Sequence, residues 1–149
     1  MSLQEEIDSL RNIPLFAKVD ASKLKLIAFA SERIEYRPGE FICHEGDDGK
    51  TAYILMNGTA DVLIDTINGP LLVNRLGTND IVGETSLLCD APRTATVQAT
   101  SDVTSLCISK QLFFQMIEEF PLVGIAIMRE LAQRLEITTN RLREVAQSK

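Results

Sequence analysis

The feature that most constrains the fold is a series of short, β-prone segments closely spaced along residues 32–108. The segments are rich in β-branched and aromatic residues, and Gly-, Pro- and Asn-containing turns separate them. The Asn57-Gly58 pair is a strong hairpin signal, because both residues tolerate positive φ. This pattern predicts an antiparallel barrel or sandwich. The predicted strands are Arg33–Tyr36, Phe41–His44, Ala52–Met56, Ala60–Asp65, Leu71–Leu76, Thr94–Ala99 and Val103–Ile108.

Helical sequence flanks the strands on both sides. Residues 3–30 carry apolar positions at helical spacing, with a break near Pro14 and Asp20 as a predicted N-cap. After the strands, a short helix is predicted over Gln111–Glu119 and a long one from Leu122 to about Gln147. The predicted class is mainly β with flanking helices (α+β), in a single domain over residues 1–149. Its zones are 1–31, 32–109 and 110–149.

Charge and composition exclude several functions. The chain has 15 Lys and Arg against 21 Asp and Glu, a net charge of −6, which argues against a surface that wraps nucleic acid. An anion site must therefore be local, built from one or two arginines and backbone N–H groups. The absence of an apolar run near 18 residues predicts no membrane contact. The 3 cysteines, none in a CxxC pair, favour buried thiols in a reducing, cytoplasmic environment.

Catalysis and metal binding find no support in the sequence. His44 is the only histidine, so the histidine ligands of a metal-dependent cupin-type site are missing. No Ser-His-Asp pattern occurs in the sequence either. No catalytic residue, metal ligand or cofactor is predicted. The chain is interpreted as a non-enzyme.

One stretch, Ile81 to Val97, interrupts the strands and contains the residues that could bind a charged ligand. Gly83 permits a close backbone approach, and a helical turn starting near Glu84 would present free N–H groups to an anion. Arg93 can donate two hydrogen bonds to one phosphate, and Glu84 suits a sugar hydroxyl. The alternative is a surface loop in which Glu84 and Arg93 only pair with each other.

Residues 82–97 resemble the phosphate-binding cassette of the cyclic nucleotide-binding domain family. The family pattern is Phe-Gly-Glu-Leu-Ala-Leu, a short spacer, and Pro-Arg-Ala-Ala-Thr-Val. The matching residues here, with no insertion or deletion, are Val82-Gly83-Glu84-Thr85-Ser86-Leu87 and Pro92-Arg93-Thr94-Ala95-Thr96-Val97. The strands before the cassette also match, including Glu45-Gly46-Asp47 and Tyr53-Ile54-Leu55.

The resemblance implies a jelly-roll-like antiparallel β-roll with N-terminal helices and a long C-terminal hinge helix. It implies that Arg93 pairs with the cyclic phosphate, that Glu84 accepts the ribose 2′-OH, and that the short helix rotates on binding. The implied ligand-binding residues in the cassette are Gly83, Glu84, Thr85, Ser86, Arg93, Thr94 and Ala95. Cyclic AMP is the favoured ligand, with cyclic GMP as the alternative because a hydroxyl at Thr94 is associated with tolerance of guanine.

The last helix carries an apolar stripe, defined here as the C-terminal stripe: Gly124, Met128, Leu131, Leu135, Thr138, Leu142 and Val145. Alternate spacings of four and three are typical of a helix that pairs with another helix, which favours a homodimer. The alternative is packing on the chain's own barrel. By the same resemblance, Arg134 approaches Glu84, while Thr138 and Thr139 reach the adenine amino group. Thr138 can instead be a polar residue that fixes the helix register.

Three functions remain open from the sequence. The favoured one is a cyclic nucleotide sensor or regulatory domain that is dimeric through the last helix. The second is the sensory half of a catabolite-activator-type transcription regulator. No helix-turn-helix lies within these residues, so the chain alone is not expected to bind nucleic acid. The third is a degenerate interaction module that binds no nucleotide.

Overall fold

A computed structural model describes residues 3–147 of the chain. The described chain divides into two compact units, one up to Phe114 and one from Gln115 onward. The helices are α1 (Leu3–Arg11), α2 (Ala21–Ala30), α3 (Glu84–Cys89), α4 (Lys110–Glu119) and α5 (Pro121–Gln147), with a 3₁₀ helix at Pro14–Phe16. The strands are β1 (Glu32–Tyr36), β2 (Phe41–Cys43), β3 (Thr51–Asn57), β4 (Ala60–Thr66), β5 (Gly69–Leu76), β6 (Ile81–Val82), β7 (Thr96–Ala99) and β8 (Val103–Ser109).

The strands of the first unit form two four-stranded sheets, ordered β1-β8-β3-β6 and β2-β7-β4-β5. Every pairing is antiparallel, and sequence-distant strands lie side by side: Tyr53 of β3 is opposite both Cys107 and Val82. The second sheet places Val97 between Cys43 and Val62. This arrangement confirms the predicted antiparallel roll with flanking helices.

The two sheets share one apolar core, because alternate residues of each strand point inward. Leu55 and Val103 of the first sheet and Ala60 and Val97 of the second belong to the same buried cluster. Tyr36 and Tyr53 pack against it and stay partly exposed. The roll therefore presents polar aromatic groups at the edge of an otherwise apolar interior.

The sequence placed most strand boundaries within one or two residues and missed β6 altogether. A strand of two residues, Ile81–Val82, gives no alternation to detect. Strand β7 begins at Thr96, later than predicted, because the chain at Arg93 pairs with the turn after β2. Asp20 is the N-cap of α2 as predicted, but its side chain makes no capping hydrogen bond.

The second unit contains the end of α4 and all of α5. Pro121 starts α5, and Phe120 N–H donates to Met116 O at the end of the preceding helix. Gly124 lies against Ile117, where an added Cβ would be 3.1 Å from the Ile117 side chain. The small residue in the C-terminal stripe is thus used inside this unit. The prediction of a single domain over residues 1–149 stays a prediction.

Within residues 3–147, no single helix is long and apolar enough to cross a membrane. Only α4 and α5 taken together, as a pair with a break, meet that length and composition test.

Candidate functional site

The cassette folds as a sharp turn followed by a short helix. Gly83 has φ of 88° and ψ of 3°, a left-handed conformation that L side chains disfavour. It follows β6 directly and starts α3, which runs from Glu84 to Cys89. Asp90, also left-handed at φ 50°, ends the helix and returns the chain toward Arg93. The two reversals turn the chain into and out of α3.

Arg93 is a buried cation, with only 5% of its surface exposed. Its Nη2 group donates to the Thr51 carbonyl at 2.6 Å and to the Thr51 hydroxyl at 3.0 Å. Its Nη1 group donates more weakly to the Gly83 carbonyl at 3.4 Å. All three acceptors are neutral oxygens, and they belong to Thr51 and Gly83.

The Nε–H group of Arg93 is buried and has no hydrogen-bond partner among residues 3–147. Native chains rarely leave a buried donor unpaired, and a bound water or ion accounts for many of the exceptions. The free Nε–H on a buried cation makes this a place where an anion would be stabilised.

Two residues pack closely around the guanidinium. Arg93 Cζ lies 5.6 Å from the centre of the Tyr53 ring, within cation–π range. On another side, a Cβ added to Gly83 would collide with Arg93 Nη1 and approach the Thr51 carbonyl to 2.9 Å. The sequence predicted Gly83 for close approach to a ligand. The structure shows that the close approach is to Arg93.

The other predicted cassette residues differ in exposure. Glu84 and Ser86 are buried, at 2% and 3% exposure, and the Ser86 hydroxyl donates to the Pro92 carbonyl at 3.2 Å. Thr85 and Thr94 are exposed and Ala95 is half-buried. Thus a buried carboxylate and a buried cation lie in one cassette, with two exposed hydroxyls beside them. Their roles toward a ligand stay predictions.

The three predicted residues of α5 lie in the second unit. Arg134 Nη2 is 2.8 Å from Glu130 Oε1, one turn earlier on the same helix. The Thr138 hydroxyl donates to the Arg134 carbonyl at 2.9 Å, and Thr139 is exposed. The predicted approach of Arg134 to Glu84, and of Thr138 and Thr139 to a base, stays a prediction.

Weakly acidic side chains lie inside the roll near Arg93. Burial raises the pKa of Tyr36 to about 12, and the neighbouring Tyr53 and Cys107 add to the rise. Burial also raises the pKa of the Cys43 thiol, against the opposing charge of Arg93. Burial raises the pKa of Cys107 as well, although a hydrogen bond with Thr51 opposes it. These groups are therefore neutral at pH 7 and do not neutralise the guanidinium.

The expectation of three buried thiols was wrong at one position. Cys43 is buried and Cys107 is intermediate, but Cys89 is exposed at the end of α3. Cys89 is the last residue of the short helix and is exposed there, even though Leu87 and Leu88 precede it. No group of three or more His, Cys, Asp or Glu is placed to hold a metal ion in the described part of the chain.

Sequence reasoning missed Thr51 and Tyr53, which contact Arg93 from β3. They are 42 and 40 residues away in sequence, and neither belongs to a chemical motif. Their spacing of two on a strand was the available signal, because such residues share one face. The spacing shows that the two side chains share one face of the sheet. It does not show that Arg93 packs on that face.

Comparison with known proteins decides the family. The profile of the family described as cyclic nucleotide-binding domain matches residues 33–120, which include β2 to β8 and the whole cassette. The chain belongs to the cyclic nucleotide-binding domain family. The match contains Thr51, Gly83 and Arg93, the residues that build the buried cation site.

Several relatives of this cyclic nucleotide-binding domain are longer proteins. A cAMP-dependent protein kinase regulatory subunit from Colletotrichum orbiculare is 36% identical over 118 residues, which are 79% of this chain and 29% of that protein. The solved Thermus thermophilus catabolite activator protein has a TM-score of 0.78 at 26% identity, over 89% of this chain and 63% of that one. A regulatory subunit of a cAMP-independent protein kinase A from Trypanosoma cruzi, bound to guanosine, has a TM-score of 0.77 at 28% identity, over 95% and 50%. The chain thus spans less than a third of the kinase relative from Colletotrichum.

Proposed function

We propose that the chain is a non-catalytic sensor that binds cyclic AMP, with Arg93 on the cyclic phosphate and Glu84 on the ribose. The observation that supports this most directly is the buried guanidinium with a free Nε–H. A cyclic phosphodiester carries one negative charge and two free oxygens, which matches one cation with a donor to spare. The N–H groups of Ser86 and Thr94 and the Thr94 hydroxyl would complete the phosphate contacts.

Cyclic AMP is preferred over cyclic GMP in this proposal. The preference rests on the resemblance of Arg134, Thr138 and Thr139 to residues that contact adenine in the catabolite activator. The exposed Thr94 hydroxyl is the argument for cyclic GMP, and the Trypanosoma relative bound to guanosine shows that guanine-containing ligands occur among similar structures. Titrating both nucleotides on the unmodified chain decides between them.

The signal is proposed to pass from the cassette to the C-terminal helix. Rotation of α3 on binding would change the position of α5. The exposed C-terminal stripe of α5 would pair two copies of the chain. In a longer protein, this would make the domain a regulatory part, as in the kinase regulatory subunits or the catabolite activator. A cytoplasmic location is proposed because the 3 cysteines form no CxxC pair and fit a reducing environment.

Replacing Arg93 tests the ligand assignment. Arg93→Leu removes the buried cation that is proposed to meet the phosphate charge, so cyclic AMP affinity should fall about 100- to 1,000-fold, equivalent to roughly 3–5 kcal/mol. The matched control is Arg75→Leu, because the Arg75 side chain is 77% exposed on β5. Calorimetric titration of both variants with cyclic AMP and cyclic GMP gives the result.

Unchanged affinity in Arg93→Leu would refute the assigned role of that residue. If the unmodified chain gave neither heat nor a rise in melting temperature with either nucleotide, the degenerate interaction module would replace the sensor.

A further inference from the structure

We infer that Thr51 is a positioning residue for the ligand: it holds the Arg93 guanidinium in the orientation that leaves Nε–H available. This inference rests on the proposed function for its ligand. The geometry that carries it belongs to the chain itself. Thr51 is the first residue of β3, 42 positions before Arg93.

The main chain of Arg93 is fixed independently of its side chain. Gly46 N–H donates to the Arg93 carbonyl at 2.9 Å, and Arg93 N–H donates to the Asp47 carbonyl at 2.8 Å. Both backbone groups of Arg93 are thus tied to the turn between β2 and β3. What remains adjustable is the long side chain, whose rotamer entropy is about 2 kcal/mol.

Thr51 restrains that side chain at its far end. Arg93 Nη2 donates to two oxygens of this one residue, the carbonyl at 2.6 Å and the hydroxyl at 3.0 Å. A planar guanidinium whose Nη2 is held by two acceptors cannot turn about its Cδ–Nε bond without breaking both hydrogen bonds, and neither can it exchange Nη1 with Nη2 by rotation about Nε–Cζ. Because Nε–H lies in the same plane, fixing that plane through Nη2 also fixes the direction of Nε–H.

Tyr53 limits movement of the guanidinium from its face. The residue lies two positions after Thr51 on β3, so both side chains point to the same side of the sheet. The Tyr53 ring centre is 5.6 Å from Arg93 Cζ, which restricts the guanidinium out of its own plane. Thr51 contacts the edge of the Arg93 guanidinium and Tyr53 contacts its face. The contact at the edge determines which N–H group of the guanidinium stays free.

The first experiment examines the ligand-free chain by NMR. Exchange between the Arg93 Nη hydrogens reports rotation about Nε–Cζ. Thr51→Val, which removes the hydroxyl and keeps the volume, should speed this rotation at least about 5-fold, whereas Thr51→Ser, which keeps the hydroxyl, should leave it within about 2-fold. Thr104→Val is the matched control, because Thr104 is a partly exposed threonine on β8 of the same sheet. Equal rotation rates in all four proteins would overturn the inference.

The second experiment is a double-mutant cycle on cyclic AMP affinity. Thr51→Val should weaken binding about 10-fold, and Thr51→Ser should restore it to within about 2-fold of the unmodified chain. In the Arg93→Leu background, Thr51→Val should have no further effect, because a residue that acts only through Arg93 has nothing left to position. A loss that persists in that background would mean that Thr51 acts on the fold and would refute the inference.

The two experiments separate the two proposals. If the unmodified chain bound no cyclic nucleotide, the proposed function would fail, and the rotation rates would still decide whether Thr51 orients Arg93. If the chain bound cyclic AMP but Thr51→Val left both rotation and affinity unchanged, the proposed function would stand and the role of Thr51 would be refuted.

Discussion

At the scale of single residues, the cassette depends on the absence of a side chain at Gly83 as much as on the side chain of Arg93. Gly83 has a φ of 88°, and its missing Cβ leaves the space that the Arg93 guanidinium occupies. The turn and the cation therefore require each other. The sequence predicted Gly83 for a close backbone approach and Arg93 for binding a phosphate, as two separate features. Only the folded chain shows that the two residues pack against each other.

Gly83→Ala should cost more stability than backbone strain alone explains. An alanine in the left-handed region costs about 1–2 kcal/mol, and the collision with Arg93 should add roughly 1–3 kcal/mol more. Gly39→Ala isolates the first contribution, because Gly39 has a similar φ of 91° with nothing within 4 Å of an added Cβ. Urea unfolding of both variants measures the difference in the free energy of unfolding, and equal losses would contradict the role assigned to the Gly83 space.

Cyclic AMP affinity should fall at least about 10-fold in Gly83→Ala only, which corresponds to about 1.4 kcal/mol.

At the scale of elements, hydrophobic alternation and turn residues were enough to predict seven of the strands and the helices. The strand order was beyond reach, because the pairing of β1 with β8 joins segments about 70 residues apart, and nothing local encodes it. The same limit hid the contribution of β3 to the site. A motif predicts the residues that it contains, whereas Thr51 enters through sheet pairing and a turn contact.

The C-terminal stripe predicts a dimer that charged substitutions disrupt. Met128, Leu135 and Leu142 are 62%, 69% and 66% exposed, and burying a leucine stabilises association by about 1.5–3 kcal/mol. Leu135→Glu with Leu142→Glu should raise the dimer dissociation constant more than about 100-fold. Gln133→Glu, exposed on α5 outside the stripe, is the control and should stay dimeric. Light scattering after size-exclusion chromatography measures the mass, and a monomeric unmodified chain would show that the prediction is wrong.

At the scale of the whole molecule, the net charge of −6 contrasts with the single buried cation in the cassette. The surface repels anions in general, so the proposed binding of a cyclic phosphate would depend on short-range contacts at Arg93. The roll interior supports this by keeping Tyr36, Cys43 and Cys107 protonated and neutral. Three raised pKa values of this kind also determine how the stability of the fold varies with pH.

Stability should be lost at alkaline pH, and Tyr36 should account for part of that loss. A raised pKa means that the folded chain keeps its proton at a pH where the unfolded chain has released it. This stability is complete below pH 9, the ordinary value for the two thiols, and falls as the pH rises toward about 12, the pKa of Tyr36. Urea unfolding from pH 7 to 11 should show this decline, and Tyr36→Phe should make it shallower above pH 10.

Absorbance at 295 nm gives a direct check, because the chain has 2 tyrosines and no tryptophan. The difference between the titration curves of the unmodified chain and Tyr36→Phe should be one phenol that ionises near pH 12, with circular dichroism confirming that both remain folded. A difference curve centred near pH 10 would contradict the burial effect.

The backbone hydrogen bonds between Arg93 and the turn at residues 46 and 47 also matter for protein engineering. The proposed ligand site is shared by two stretches of chain that are far apart in sequence, so it cannot be transplanted as one loop. A designer who grafts residues 82–97 onto another scaffold would have to graft residues 46–51 with them, in register. Natural variation in the length of that turn would disturb the site as surely as a change inside the cassette.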